Sequence, residues 1–264
     1  MSVKNKDKFI YYGIIGTSML TIGVLLWIII YIGIKGMAHI DLMKLFLPVV
    51  TTIYMVLIAL IIAVPIGIGG AIYINEYAKE GKFVRVIRFA TECLAAVPSI
   101  IFGLFGMMFF VITLKMGYSI LAGSLTVAMV ILPTLVKTTE EALKTVPNSY
   151  REASLALGVT KYMTIFKVVL PSAMSGTLTG IVLAIGRIVG ETAAIYLTAG
   201  TMLKLPENIL DSGRTLSVHL YMLAKEGISF EDAYGTSIVL LSVIFMLNVS
   251  IYLIERKVNR AKGK

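Results

Sequence analysis

The sequence predicts an all-α integral membrane protein with six transmembrane helices and both termini cytoplasmic. Three observations carry that prediction. First, 58% of the residues are hydrophobic and the mean hydropathy is +0.89, far above a soluble domain. Second, the apolar residues fall in runs close to or above the roughly 20 residues that a helix needs to cross a bilayer. Third, Lys and Arg concentrate in alternate connecting segments, which fixes orientation by the positive-inside rule. The net charge of +9 suits nucleic acid in principle. Here the cations sit at the ends of apolar runs, so topology accounts for them. Cys93 is the single cysteine, which excludes an intrachain disulfide, and no Cys/His cluster suggests a metal.

The elements follow in order. Lys4, Lys6 and Lys8 precede an apolar run over residues 11–34, read as an uncleaved first span. Trp27 and Tyr31 fit interfacial positions. The second span covers residues 49–74 and contains Pro65, Gly67, Gly69 and Gly70, which suit close helix packing or a direct substrate contact. Residues 75–92 form a basic joint whose Phe83, Val84, Ile87 and Phe89 predict an interfacial amphipathic helix. The third span is residues 94–114, with Glu92 expected to cap its start and Pro98 near its beginning. A tight turn at residues 115–118 leads to the fourth span, residues 119–136, ending near Pro133 and Lys137.

A polar island, residues 140–171, interrupts the apolar pattern. Ser149 and Glu152 have the spacing of a capping box, and Pro147 discourages a helix from running through. Gly158 is placed to end that helix, Thr160 to cap a second, and Pro171 to mark the next break. By itself this grammar favours a solvated cytoplasmic loop. The fifth span is residues 173–199. The loop at residues 200–233 is comparatively acidic and carries a short amphipathic helix marked by Leu216, Leu220 and Leu223. His39 and His219 are expected to be surface histidines. The sixth span, residues 234–254, is followed by a basic tail with Arg256, Lys257, Arg260, Lys262 and Lys264.

Within the fifth span lies the run Gly186-Arg187-Ile188-Val189-Gly190-Glu191. A charge inside a bilayer costs at least ~2.5–3.5 kcal/mol, so Arg187 must face protein or a water-filled path. The i,i+4 spacing predicts that Glu191 pairs with Arg187, with Gly186 and Gly190 admitting a partner helix. The pair either fixes packing or lines an oxyanion pathway, since a guanidinium fork matches phosphate oxygens. The chain has no G-x-x-x-x-G-K-[ST] loop, H-E-x-x-H or G-x-S-x-G. It therefore lacks the usual phosphate loop for ATP and the signatures of a zinc protease or an esterase.

Glu152-Ala153-Ser154, three residues, Gly158, nine residues, then Val168-x-Leu170-Pro171 resembles the EAA signature of ABC-importer permeases. Ser154 and Val168 are small departures from it. The run from Ala95 to Gly106 is similar to a segment of phosphate permeases of the PstA and PstC type. The resemblance implies a type I ABC importer (MetI-like) transmembrane domain. Its permease core would be residues 49–254, after an N-terminal helix and external loop (residues 1–48) and before the tail (residues 255–264). It implies that Glu152, Ala153, Ser154, Gly158, Leu170 and Pro171 belong to a coupling segment for a cytoplasmic ATPase. It also implies that Arg187, Glu191 and Lys137 lie on the substrate pathway. Lys137 stands where relatives often have Arg, and equally fits a positive-inside anchor. The implied partners are a PstC-like permease, a PstB-like ATPase dimer and a PstS-like phosphate-binding protein. No cofactor is expected in this chain, with ATP and Mg²⁺ held by the partner ATPase. Permeases for molybdate or sulfate, and more distantly a non-ABC channel or scaffold, remain alternatives.

Overall fold

A computed structural model describes residues 3–261. Lys262 and Lys264 lie outside the described residues, as do the side chains of Lys4, Lys6, Lys8, Lys257 and Arg260. Every regular element among the described residues is helical. Four helices are long and apolar enough to cross a membrane: α1 (Val3–Gly36), α2 (Leu42–Ile72), α5 (Ile120–Lys144) and α12 (Phe230–Ala261). The predicted third and fifth spans are bent. Helix α3 (Lys82–Ala96) meets α4 (Ser99–Gly106) at 98°. Helices α7 (Lys161–Thr164) and α8 (Leu170–Ser172), joined by a π-helical turn, meet α9 (Met174–Gly190) at 68°. Counting each bent pair as one span gives the expected six.

The breaks have local causes. Pro98 has no N–H to give and disfavours a helical residue before it, so α3 stops and Val97 is extended. Glu92 therefore lies inside α3 and does not cap a span, contrary to expectation. Lys115 and Gly117 take positive φ in the turn before α5. The second bend falls at Ala173, two residues beyond Pro171.

The core lies where α2, α5 and α9 meet. Met55, Ala59 and Ala63 of α2, Ile131 and Leu135 of α5, and Ala184, Ile188 and Val189 of α9 are all buried there. The predicted close packing is seen at Gly67, where an added Cβ would lie 2.8 Å from the Leu135 Cβ. Gly69 has open space around it. A second cluster closes one end of the bundle. There Ala71 and Ile72 of α2 and Leu143 and Val146 at the end of α5 pack on Ile165 and Val169 of the island. Helix α1 meets the rest of the chain mainly at α12, and its apolar side chains are otherwise exposed.

Candidate functional site

The island folds as predicted in outline. Helix α6 (Asn148–Ala156) is followed by a turn at Gly158, whose φ of +78° is a conformation glycine adopts without steric cost. Thr160 caps α7 by accepting from the Met163 N–H at 3.3 Å. The capping box does not form: α6 starts one residue early, directly after Pro147, and no side chain caps it. Pro147 itself takes the cap position, so Ser149 falls in the first turn of α6, where its hydroxyl cannot cap the helix.

The EAA residues divide by side. Glu152, Ala153 and Gly158 are exposed, and Leu170 and Pro171 are half-buried. Ser154, by contrast, points inward. Its hydroxyl shares a 2.9 Å hydrogen bond with that of Thr164, tying α6 to α7. The outward surface also carries Tyr150, Leu155, Leu157 and Tyr162, with Leu157 84% exposed.

Arg187 and Glu191 do not pair. Helix α9 ends at Gly190, and Glu191 is extended, with ψ near 129°. The i,i+4 geometry assumed for an unbroken helix is thereby lost. Arg187 is in the last turn of α9, where a cation complements the exposed carbonyl end. This corrects the expectation of a position midway along a straight span. Glu191 is buried, and its Oε1 accepts from the Ala194 N–H at 3.2 Å. It thus caps the short helix α10 (Ala193–Thr198). Its backbone carbonyl accepts from Ser217 Oγ at 2.6 Å, anchoring the break to α11 (Leu216–Lys225). Gly186 and Gly190 do not abut another helix of this chain.

Arg187 is half-buried and has no carboxylate partner among the described residues. Its Nη1 lies 3.5 Å from Thr134 Oγ1, at the outer limit for a hydrogen bond. Lys137 follows Thr134 by three residues on α5, so the two lie on one helix face. Lys137 is exposed and lines a cleft of about 130 Å³ with Arg88, Glu92, Glu140 and Lys144. Arg187 thus contacts α5 one turn away from Lys137. A larger apolar groove of about 540 Å³, lined by Ile100, Tyr196, Leu197 and Leu220, opens beside α10. It offers an oxyanion no charge.

Two buried carboxylates hold ion pairs that were not foreseen. Buried Glu140 accepts from Arg88 Nε at 2.8 Å and Lys144 Nζ at 2.6 Å, fastening α3 to α5. Glu76, past the end of α2, accepts from Arg151 Nη2 at 2.6 Å. One signal was available for the second. A cation in the first turn of α6 opposes the helix dipole, which points to a compensating acid.

Residues 63–264 match the family described as "Binding-protein-dependent transport system inner membrane component". The chain belongs to that family. Among curated relatives, a probable ABC transporter permease protein of Bacillus subtilis is 37% identical, over 75% of this chain and 72% of its own length. The phosphate transport system permease protein PstA of Mycobacterium leprae is 35% identical, over 73% and 64%. A PstA homolog of Mycoplasma pneumoniae is 36% identical over 78% of this chain, which spans only 33% of that protein. The fold is shared with a chain of a bacterial alginate ABC transporter in complex with alginate pentasaccharide-bound periplasmic protein. That match has a TM-score of 0.73 and 13% identity, and covers 96% of each chain. It is also shared with a chain of the inward-facing MetNI methionine ABC transporter, at a TM-score of 0.64 and 17% identity over 86% of this chain and 96% of that one.

Proposed function

We propose that this chain is a permease subunit of an ATP-driven phosphate importer, forming half of the translocation pathway. The observation that carries the cargo is Arg187. A half-buried guanidinium, with five N–H donors and one long contact to Thr134, is poised to bind the oxygens of an anion. Lys137, one turn along α5 from Thr134, offers a second cation toward the cleft with Arg88 and Lys144. The relatives named as phosphate permeases support the same cargo.

The chain is not itself an enzyme; hydrolysis belongs to a partner. The exposed surface of α6, with Glu152, Ala153, Gly158 and Leu157, is the docking surface for the ATPase. Leu170 and Pro171 lead that segment back toward α9. A PstC-like permease supplies the other half of the pathway. A PstB-like ATPase pair binds ATP and Mg²⁺, and a PstS-like protein delivers phosphate from outside. The assembly sits in a bacterial-type cytoplasmic membrane with the island and both termini in the cytoplasm. Residues 49–254 form the permease core, with residues 1–48 and 255–264 as appendages.

Movement of the docked ATPases shifts α6 and α7, and the apolar cluster of Ile165 and Val169 passes that shift to α2 and α5. Those helices enclose the Arg187 end of α9. The test is uptake of labelled phosphate, sulfate and molybdate into vesicles holding the assembled complex. Phosphate uptake is expected, with loss in Arg187→Gln and an intermediate rate in Arg187→Lys, which keeps charge but not the fork. Uptake of sulfate or molybdate in place of phosphate refutes the cargo; unchanged phosphate uptake in Arg187→Gln refutes the pathway.

A further inference from the structure

The island touches the continuation of α2 at a point 75 residues away in sequence, and the Arg151 side chain makes the hydrogen bonds of that contact. Arg151 Nη2 donates to Glu76 Oε1 at 2.6 Å, and Nε lies 3.2 Å from each Glu76 oxygen. Nη2 also donates to the Leu143 carbonyl at 3.0 Å. Nη1 donates to the Val146 carbonyl at 2.8 Å and to Asn148 Oδ1 at 3.3 Å. A single guanidinium therefore joins the end of α2, the carbonyl end of α5 and the first turn of α6. The side chains of Glu76 and Arg151 are 6% and 18% exposed, so solvent competes little for these bonds.

The arrangement has a mechanical reading. Helix α6 follows α5 directly through Pro147, so a push on α6 reaches α5 through the chain itself. Helix α2 has no such covalent route. Its links to the island include the apolar packing of Ala71 and Ile72, the Lys161 ammonium 5.1 Å from the Tyr77 ring centre, and the Arg151–Glu76 bridge, the one with fixed hydrogen-bond directions. Apolar contacts resist compression and slide readily sideways. A charge-assisted, multiply bonded guanidinium resists both, because its donors have fixed directions.

We propose that Arg151 and Glu76 form the strut through which the coupling segment moves α2, making both positioning residues for transport. The proposal rests on the reading of the island as the ATPase-docking segment. The strut faces inward, away from the exposed Glu152, Ala153 and Leu157, so docking and transmission are separable.

The test uses the whole complex in vesicles, with Arg151→Gln, Arg151→Lys, Glu76→Gln and the double variant Glu76→Gln/Arg151→Gln. The ATPase is expected to co-purify with every variant. Solute taken up per ATP hydrolysed is expected to fall about tenfold in Arg151→Gln and Glu76→Gln, a usual size for coupling between sites. Arg151→Lys should recover part of the loss, and the double variant should be no worse than Arg151→Gln alone. Wild-type uptake per ATP in both single variants overturns the proposal. So does multiplication of the two defects in the double variant, or release of the ATPase from both single variants. A cargo-independent readout accompanies these. Nitroxide labels at Lys79→Cys and Lys204→Cys, in a Cys93→Ser background, should report an ATP-dependent distance change that Arg151→Gln abolishes. Persistence of that change in Arg151→Gln overturns the strut. A wild-type complex that moves its labels with ATP but takes up no phosphate refutes the cargo and leaves the strut standing.

Discussion

The break at Glu191 makes a sharp prediction. Replacing Glu191 with alanine removes the acceptor that holds the Ala194 N–H at 3.2 Å, inside a site where Glu191 is 8% exposed. Loss of a helix N-cap costs about 0.5–2 kcal/mol. Leaving a buried N–H without a partner costs roughly 1–3 kcal/mol, which largely restates the same loss. The expected destabilisation of Glu191→Ala is thus about 2 kcal/mol. Glutamine keeps a carbonyl oxygen at nearly the same place, so Glu191→Gln should stay within about 0.5 kcal/mol of the parent, close to ordinary substitutions. Thermal unfolding of the purified chain in detergent, followed by loss of helical signal, measures the difference. Equal destabilisation of the two variants would refute the capping account, because a neutral amide oxygen would then have failed where geometry says it suffices. A stable Glu191→Gln that has lost uptake would instead assign the carboxylate charge to transport.

Other expectations follow from single contacts. Ser154→Ala removes the buried hydroxyl pair with Thr164 and should cost about 1 kcal/mol, read by hydrogen exchange across α6 and α7. His219 is buried, and burial first, then the Arg214 charge, lowers its pKa from 6.5 to about 4, with Lys44 adding and Asp232 opposing. Its folded value lies below its unfolded value, so stability is complete above pH 6.5 and declines as pH falls from 6.5 toward 4. The loss reaches about 3 kcal/mol at most. His219→Gln should flatten that part of the melting-temperature profile, and a parallel decline in both proteins would contradict the assignment. The same burial corrects the sequence expectation of a surface histidine, while His39 does sit at the surface, 3.4 Å from Glu231.

The features legible in the sequence were those encoded locally. Apolar runs gave α1, α2, α5 and α12, because a span must satisfy its own backbone and needs no distant partner. Gly158 and Thr160 gave the island its turn and second cap by intrinsic geometry. Arg187 stood out because an ionisable group in an apolar stretch has few structural excuses. The illegible features depend on groups far apart in the chain. Glu76 and Arg151 are 75 residues apart, and Arg88 and Glu140 are 52 apart, so no spacing rule joins them. Glu191 was misread for a related reason. Its i,i+4 partnership presumed a helix that continues past Gly190. The carboxylate instead stabilises the next helix start, and Ser217 holds the broken backbone from across the fold.

The bend at Pro98 has a consequence for the lipid around the protein. After it, α4 and the π-helical turn that follows run only from Ser99 to Thr113. At a helical rise of 1.5 Å per residue such a piece reaches about 22 Å, against roughly 30 Å of hydrocarbon. Helix α3, turned 98° away, does not make up the difference. Its exposed Phe83, Val86 and Phe89 can instead lie along the interface among Lys82 and Arg85. Hydrophobic mismatch thus concentrates on this flank, where the bilayer must thin or a neighbouring subunit must cover the gap. Acyl-chain length becomes a variable that acts on this one side of the molecule, where thick membranes would press on the α3–α4 corner and thin ones would relieve it.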